Sequence, residues 1–165
     1  MEVIYLCKRI LKNNNLSNVS LELTEEYNYC MYYELNTRKI FINPSILLED
    51  SSQYDLPFEA YVTIIFCHEL GHYLDEELQD IDDLRNLCKL LLNDPNRSDE
   101  KGLIKNIRDC SMKAEINAWD IAERFINPVI IKDFKIIKEK SLCLAKETVD
   151  LEMQRALIER RLNRR

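Results

Sequence analysis

Residues 64–77 read IIFCHELGHYLDEE, and this stretch contains both histidines of the 165-residue chain, His68 and His72. Large apolar residues recur around it with the spacing of an α-helix, at Val62, Phe66, Leu70 and Leu74. Their side of the helix is therefore expected to face a core. Pro57 is well placed to open this helix, which we expect to run to about Glu77.

The spacing of the two histidines is that of a zinc-binding pair. Positions four apart lie one turn apart on the same side of a helix, so His68 and His72 can aim two imidazole nitrogens at one point. Glu69 is rotated by about 100° from His68, where it can reach a water on the metal and act as its general base. Zinc lowers the pKa of a bound water to about 7, so the chemistry expected at neutral pH is amide hydrolysis.

The third metal ligand has to come from another part of the chain. A catalytic zinc usually has three protein ligands, and no histidine remains to supply the third. Glu115 interrupts the apolar stripe of a helix predicted over residues 99–126, beside Ala118 and Ala122. A carboxylate there is costly unless a cation compensates it, and a zinc ion would do so. A boundary glutamate that reaches solvent or pairs with a lysine would also fit the pattern.

The rest of the chain predicts an α+β protein that is mostly helical. With only 2 glycines and 4 prolines, and with apolar residues at 46%, long helices and one main core are expected. Three short stretches rich in β-branched or aromatic residues predict a small antiparallel sheet, with a hairpin at Asn36 and Thr37: residues 19–23, 27–35 and 38–43.

Four further helices are expected besides the one that carries the histidines. Residues 2–13 form the first, Pro44 closes the sheet region, and Ser98 caps the helix that carries Glu115. The other two cover residues 80–93 and the region from about residue 132 to the end. In the last helix Ile137, Leu144, Leu151 and Ile158 are seven apart, which fits packing on the domain itself or on a partner helix. We predict one domain over residues 1–130 and a helical extension over 131–165.

Two segments together resemble a known family of metallopeptidases. HELGH at 68–72 and EINAWDIAERFINP at 115–128 are similar to the two signatures of the ImmA/IrrE family, which is of the gluzincin type. The second aligns without a gap to E-x-x-A-N-x-F-A-x-x-L-L-M-P, with Trp119 in place of the family's Asn. The resemblance implies a minimal zincin-like fold, with the sheet packed against the helix of the histidines and the helix of Glu115.

The same resemblance implies a function. It places zinc on His68, His72 and Glu115 with Glu69 as catalytic residue, and it implies site-specific cleavage of a protein. The substrate in such families is often a repressor or other transcriptional regulator of a phage or mobile element.

Two alternatives remain open. Peptide deformylase also uses H-E-x-x-H, with a cysteine from an upstream strand as third ligand, and Cys30 occupies about that place. The other alternative is a non-catalytic zincin-like module that acts through protein contacts. Its contact surface would be the arginine-rich last helix. Glu69 separates this module from an enzyme, because a binding module has no need of a general base beside the metal.

Charge and composition exclude other classes of function. The net charge of −6 makes direct nucleic-acid binding an unexpected role. The amino terminus has no signal-peptide pattern and the chain has no 20-residue apolar run, so a cytoplasmic protein without a membrane partner is expected. The six cysteines are spread evenly without a C-x-x-C pair, which favours reduced, buried thiols.

Overall fold

The computed structural model describes residues 3–25, 29–94 and 98–163, and this part of the chain is mostly helical. The α-helices, in chain order, are α1 Val3–Asn13, α2 Pro44–Ser51, α3 Phe58–Leu74, α4 Leu78–Asn93, α5 Glu100–Ala122 and α6 Ile131–Asn163. The strands are β1 Ser20–Leu23, β2 Met31–Glu34 and β3 Lys39–Ile42. Within the described ranges, no helix has the length and apolar character needed to cross a membrane.

The sheet is mixed, which corrects the antiparallel sheet predicted from the sequence. Its strand order is β1-β3-β2, with β2 antiparallel to β3 as the hairpin at Asn36 and Thr37 predicts, and β1 parallel to β3. The chain reverses direction between β1 and β2 and again between β2 and β3. Because β1 pairs with β3 and not with its neighbour in sequence, two reversals separate the paired strands and they run the same way. Residues 27 and 28 of the predicted second strand lie outside the described residues.

Helix α2 is an element that the sequence does not predict, because Pro44 is equally consistent with a simple end to the sheet region. Pro44 instead occupies the first turn of α2, where its missing N–H costs nothing. The side-chain oxygen of Asn43 caps this helix by accepting from the backbone N–H groups of Ser45 and Ile46 at 3.1 and 3.3 Å. Asn43 and Pro44 therefore start a helix. Within α2, the side chain of Leu47 is completely buried.

The cap of α5 also differs from the prediction by one residue. Asp99 and not Ser98 performs this role, since its carboxylate accepts from the backbone N–H of Gly102 at 3.1 Å. An aspartate cap adds a negative charge at the positive end of the helix dipole. At its other end α5 tightens into a 3-10 turn over Glu123–Phe125 before Asn127 and Pro128.

Contacts divide the chain into two compact units. The first comprises residues 1–75 and 117–137, and the second comprises 76–116 and 138–165, so α5 and α6 each contribute to both. In the first unit, α3 packs against α1, α2, β2 and β3. Three residues of its predicted apolar stripe, Val62, Phe66 and Leu70, are at 0% exposure, and the fourth, Leu74, is half-buried. Ile64 and Cys67 on other sides of α3 are equally buried, so the helix is enclosed on more sides than one stripe predicts.

The second unit is a helical cluster in which two groups of buried residues are described. Residues from α4, α5 and α6 form one group: Cys88, Leu92, Leu103, Ile104, Ile107 and Met153. The other consists of Ile81, Cys110 and Ala114. Arg160 on α6 is 5% exposed; its guanidinium donates to the carbonyl of Leu92 near the end of α4 and lies 3.6 Å from the carboxylate of Glu100. A buried arginine that is both hydrogen-bonded and paired fixes the end of α6 against α4.

The cysteines are all free; four of the six are buried as predicted and Cys30 is half-buried, and burial controls their reactivity. Burial raises the pKa of Cys7, Cys30 and Cys67 to about 12, whereas Cys143 is exposed. At about pH 8 we expect iodoacetamide to modify Cys143 quickly and those three thiols only after unfolding, because only about one buried thiol in ten thousand is ionised. Mass mapping of modified peptides checks this, and equal rates at Cys7 and Cys143 would contradict it.

Candidate metal centre

The two histidines lie in the second half of α3, where the helix is enclosed. His68 is 7% exposed and His72 is half-buried, and their ring centroids are 4.7 Å apart. A histidine pair on the same side of a helix requires continuous helical backbone through the motif, and α3 runs without a break from Phe58 to Leu74. The pair predicted from the spacing is therefore present as a pair of adjacent imidazoles.

Gly71 explains how a second helix comes close to this pair. A Cβ atom at position 71 would lie 2.0 Å from the backbone carbonyl oxygen of Ala118 on α5. No side chain fits at that distance, so only glycine allows the two backbones to approach this closely. The side-chain amide of Asn117 adds a hydrogen bond of 3.1 Å to the carboxylate of Asp75, just after α3 ends.

The close approach brings the predicted ligand set together. His68, His72 and Glu115 each offer a ligand atom, and these atoms all lie within 4.8 Å of one another. Glu115 lies on α5 about one turn before Ala118 and Trp119. The helix is continuous here, and its part that belongs to the first unit begins two residues later, at Asn117. It is half-buried, as a carboxylate at the edge of a packed face should be. The group could hold a metal ion.

The proposed general base is held in a defined position. Glu69 is 8% exposed, and its Oε2 accepts the backbone N–H of Tyr33 on β2 at 2.7 Å. A short hydrogen bond between a backbone N–H and this carboxylate fixes the rotamer of the side chain. One oxygen of Glu69 is thereby tied to the edge strand of the sheet. The sequence predicts the role of Glu69 but gives no signal for this backbone contact, because a main-chain donor carries no residue identity.

Trp119 is a residue of the site that the sequence does not assign. It is completely buried, and its indole stacks on the imidazole of His68 with ring centroids 4.2 Å apart and planes 21° from parallel. Phe134 packs edge-on against the indole, with ring centroids 5.5 Å apart. The stack restricts rotation of the His68 ring. The one sequence feature that could have drawn attention to Trp119 is its departure from the ImmA/IrrE signature, which has asparagine at this position.

Cys30, the ligand that the deformylase interpretation needs, is not in this group. Among the described residues, the histidine pair is joined by Glu115 and by no thiol. Cys30 lies before β2, half-buried. The geometry therefore favours a carboxylate as the third ligand, as expected from the position of Glu115 in the second sequence signature.

Trp119 provides a direct optical test of the site, because it is the only tryptophan in the chain. We expect Co²⁺ to quench its fluorescence at one equivalent, since cobalt accepts the same nitrogen and oxygen ligands as zinc and would lie against the stacked imidazole. Excess Zn²⁺ should restore the emission. In Glu115→Ala the quenching should require a higher cobalt concentration. Quenching that is identical in the variant would contradict a site built on Glu115.

Comparisons with known proteins identified no relative of this chain. A scan against protein-family models, a search of curated proteins and a search of solved structures each found no match to this chain.

Proposed function

We propose that this protein is a zinc-dependent endopeptidase that cleaves a peptide bond in a protein substrate. One observation carries the proposal: the ligand atoms of His68, His72 and Glu115 converge within 4.8 Å, and Glu69 follows His68 directly on the same helix. Two imidazoles and a carboxylate form the ligand set of a catalytic zinc that keeps one coordination position open. The glutamate beside them is the group that hydrolysis requires and that a purely structural zinc site does not.

The donors fit zinc better than a harder cation. Calcium and magnesium prefer sites made of oxygen ligands, whereas two imidazoles favour zinc and its neighbours in the transition series. When bound, zinc would polarise the carbonyl of the scissile bond and make a water molecule more acidic. The residues that would hold it are His68, His72 and Glu115. The indole of Trp119 limits rotation of one of these ligands, which reduces the entropy lost when the metal binds.

Glu69 supplies the proton transfers of the proposed reaction. Its carboxylate would take one proton from the attacking water as the oxygen bonds to the carbonyl carbon. It would then deliver that proton to the amide nitrogen as the carbon–nitrogen bond breaks. The products are one carboxyl group and one amine, and Glu69 returns to its ionised form. The hydrogen bond from the backbone N–H of Tyr33 holds the carboxylate in a fixed position for this exchange.

An extended polypeptide is the substrate class that the neighbouring strand favours. β2 is an edge strand, and the N–H of Tyr33 points away from β3 because it reaches Glu69. In an extended strand the N–H and C=O of one residue point to the same side, so the carbonyl of Tyr33 also points outward beside the site. A substrate strand could pair with that edge. The resemblance to ImmA/IrrE peptidases supports a regulatory protein as substrate.

Cleavage of a mixed peptide library tests the proposal, because the library samples many sequences and the substrate need not be identified first. The zinc-loaded protein is incubated with peptides from a digested bacterial proteome, and new amino termini are identified by mass spectrometry. We expect a recurring cleavage sequence that disappears with a chelator and returns with zinc. If zinc binds stoichiometrically but no new termini arise from the library or from folded candidate regulators, the endopeptidase proposal is wrong and the binding-module alternative gains support.

A further inference from the structure

Helix α6 carries an apolar stripe that its own unit leaves exposed. Leu144, Leu151, Ile158 and Leu162 are 55–64% exposed although all four are large aliphatic residues. Together with two further exposed residues they form a continuous line of spacing 4-3-4-3-4, which we call the α6 seam: Leu144, Thr148, Leu151, Arg155, Ile158 and Leu162. Steps that alternate between four and three residues are typical of helices that pair in a left-handed coiled coil.

The α6 seam lies on the opposite side of the helix from the core of the second unit. Met153 and Arg160 point into that core and are 3% and 5% exposed. Arg108 on α5 pairs with Asp150 at 2.7 Å, and Lys89 on α4 lies 3.8 Å from Glu152, so α6 is attached to both neighbouring helices through its inner side. Four large aliphatic side chains on the outer side of one helix form a surface that favours association.

We propose that the α6 seam is a self-association surface on which two copies of this chain pair through antiparallel α6 helices. A seam with alternating steps of four and three residues fits a helix with the same alternation, and α6 of a second copy presents it. We align the two helices so that Met153 of one copy is level with Met153 of the second copy along the helix axes. Each seam residue then faces a seam residue of the second copy: Leu144 meets Leu162, Thr148 meets Ile158, and Leu151 meets Arg155. Every layer then contains at least one aliphatic residue, and the stem of Arg155 can cover Leu151.

Charges beside the seam select the antiparallel orientation. In this arrangement Glu147 of each copy lies next to Arg161 of the second copy, which gives two complementary pairs in the dimer. In a parallel pair, Arg155 would meet Arg155 of the second copy inside the seam, and Glu147 would lie beside Glu152 of the second copy. Like charges oppose each other in both of those contacts. The antiparallel pair also brings Glu152 next to Glu152 of the second copy, but this single like-charge contact is outweighed by the two complementary pairs, whereas the parallel pair has like-charge contacts alone. Complementarity therefore commits the seam to an antiparallel second copy rather than to a parallel one.

Sedimentation equilibrium of the full chain tests whether the seam associates. We expect the mean mass to rise from 19.6 kDa towards twice that value as the concentration increases into the submillimolar range. Leu151→Lys places a second cation opposite Arg155 in two layers, and we expect it to weaken association by at least about a hundredfold. Leu90→Lys is the matched control, because Leu90 on α4 is 69% exposed and lies outside the seam. Circular dichroism confirms that both variants remain helical.

Charge exchange tests the orientation. Glu147→Lys removes two favourable pairs from the antiparallel dimer and should weaken it about tenfold, whereas it would strengthen a parallel dimer by facing Glu152. The double variant Glu147→Arg with Arg161→Glu should recover the wild-type constant. A wild-type chain that stays at 19.6 kDa throughout, a Leu90→Lys variant as impaired as Leu151→Lys, or a Glu147→Lys variant that associates more tightly would overturn the proposal.

Discussion

Glu69→Gln is expected to keep the metal and lose hydrolysis. The glutamine side chain has the same shape, and its amide oxygen can still accept the backbone N–H of Tyr33, which the carboxylate accepts at 2.7 Å in the wild type. Fold and ligand positions should therefore be preserved. The amide cannot take a proton from water, so we expect cleavage to fall by at least about a hundredfold at an unchanged zinc content. Cleavage rates and bound zinc are measured on the same preparations.

Glu59→Gln is the matched control for this variant. Glu59 lies on the same helix, α3, in its first turn and exposed to solvent. The substitution makes the same chemical change away from the histidines, so both cleavage and zinc content should equal those of the wild type. Equal cleavage by Glu69→Gln and wild type would show that Glu69 is not the base. Loss of zinc in Glu69→Gln would show instead that the side chain supports the ligands.

Gly71→Ala should be among the most damaging single substitutions in the chain. On an exposed helix the change would add about 1 kcal/mol of stability, because alanine is the better helix former. Here the new methyl group would lie 2.0 Å from the carbonyl oxygen of Ala118, and a backbone atom cannot move aside as a side-chain end can. We expect the free energy of unfolding to fall by at least about 3 kcal/mol. Denaturant unfolding followed by circular dichroism measures it.

The only other glycine provides the control. At Gly102 a new Cβ would meet the carboxylate of Asp99 at 2.5 Å, which is the end of a flexible, exposed side chain. Disturbing this cap of α5 would cost about 1 kcal/mol, and the higher helix propensity of alanine offsets about the same amount, so Gly102→Ala should change the free energy of unfolding by less than about 1 kcal/mol. If Gly71→Ala is as mild as Gly102→Ala, the two backbones do not approach as the structure shows. A folded Gly71→Ala variant is also expected to bind zinc more weakly, because α5 carries Glu115.

The sequence predicts the site better than the sheet. Positions four apart on a helix have one geometry, so His68 and His72 can be placed on one side of α3 from their spacing alone. Glu115 stands out because a carboxylate on the edge of an apolar stripe needs compensation, and because the stretch around it resembles a peptidase signature. Both features depend only on the spacing of residues within a few turns of one helix, and the sequence shows that spacing directly.

Features that depend on distant parts of the chain are missed or need correction. The pairing of β1 with β3 rather than β2 is a tertiary choice, and nothing within Ser20–Leu23 specifies its partner. The stack of Trp119 on His68 and the bond from Tyr33 to Glu69 join residues 51 and 36 positions apart, respectively. Pro44 is ambiguous in the sequence because proline ends one element and opens another equally well, and only the oxygen of Asn43 decides between them.

A crystal structure of the zinc-loaded protein, with anomalous data collected at the zinc edge, tests the central claim most directly. We predict one strong peak per chain, bound by one nitrogen of His68, one nitrogen of His72 and a carboxylate oxygen of Glu115, each at about 2.0–2.2 Å. A peak whose third ligand is Cys30 or another group, or a peak away from the histidine pair, would contradict the account.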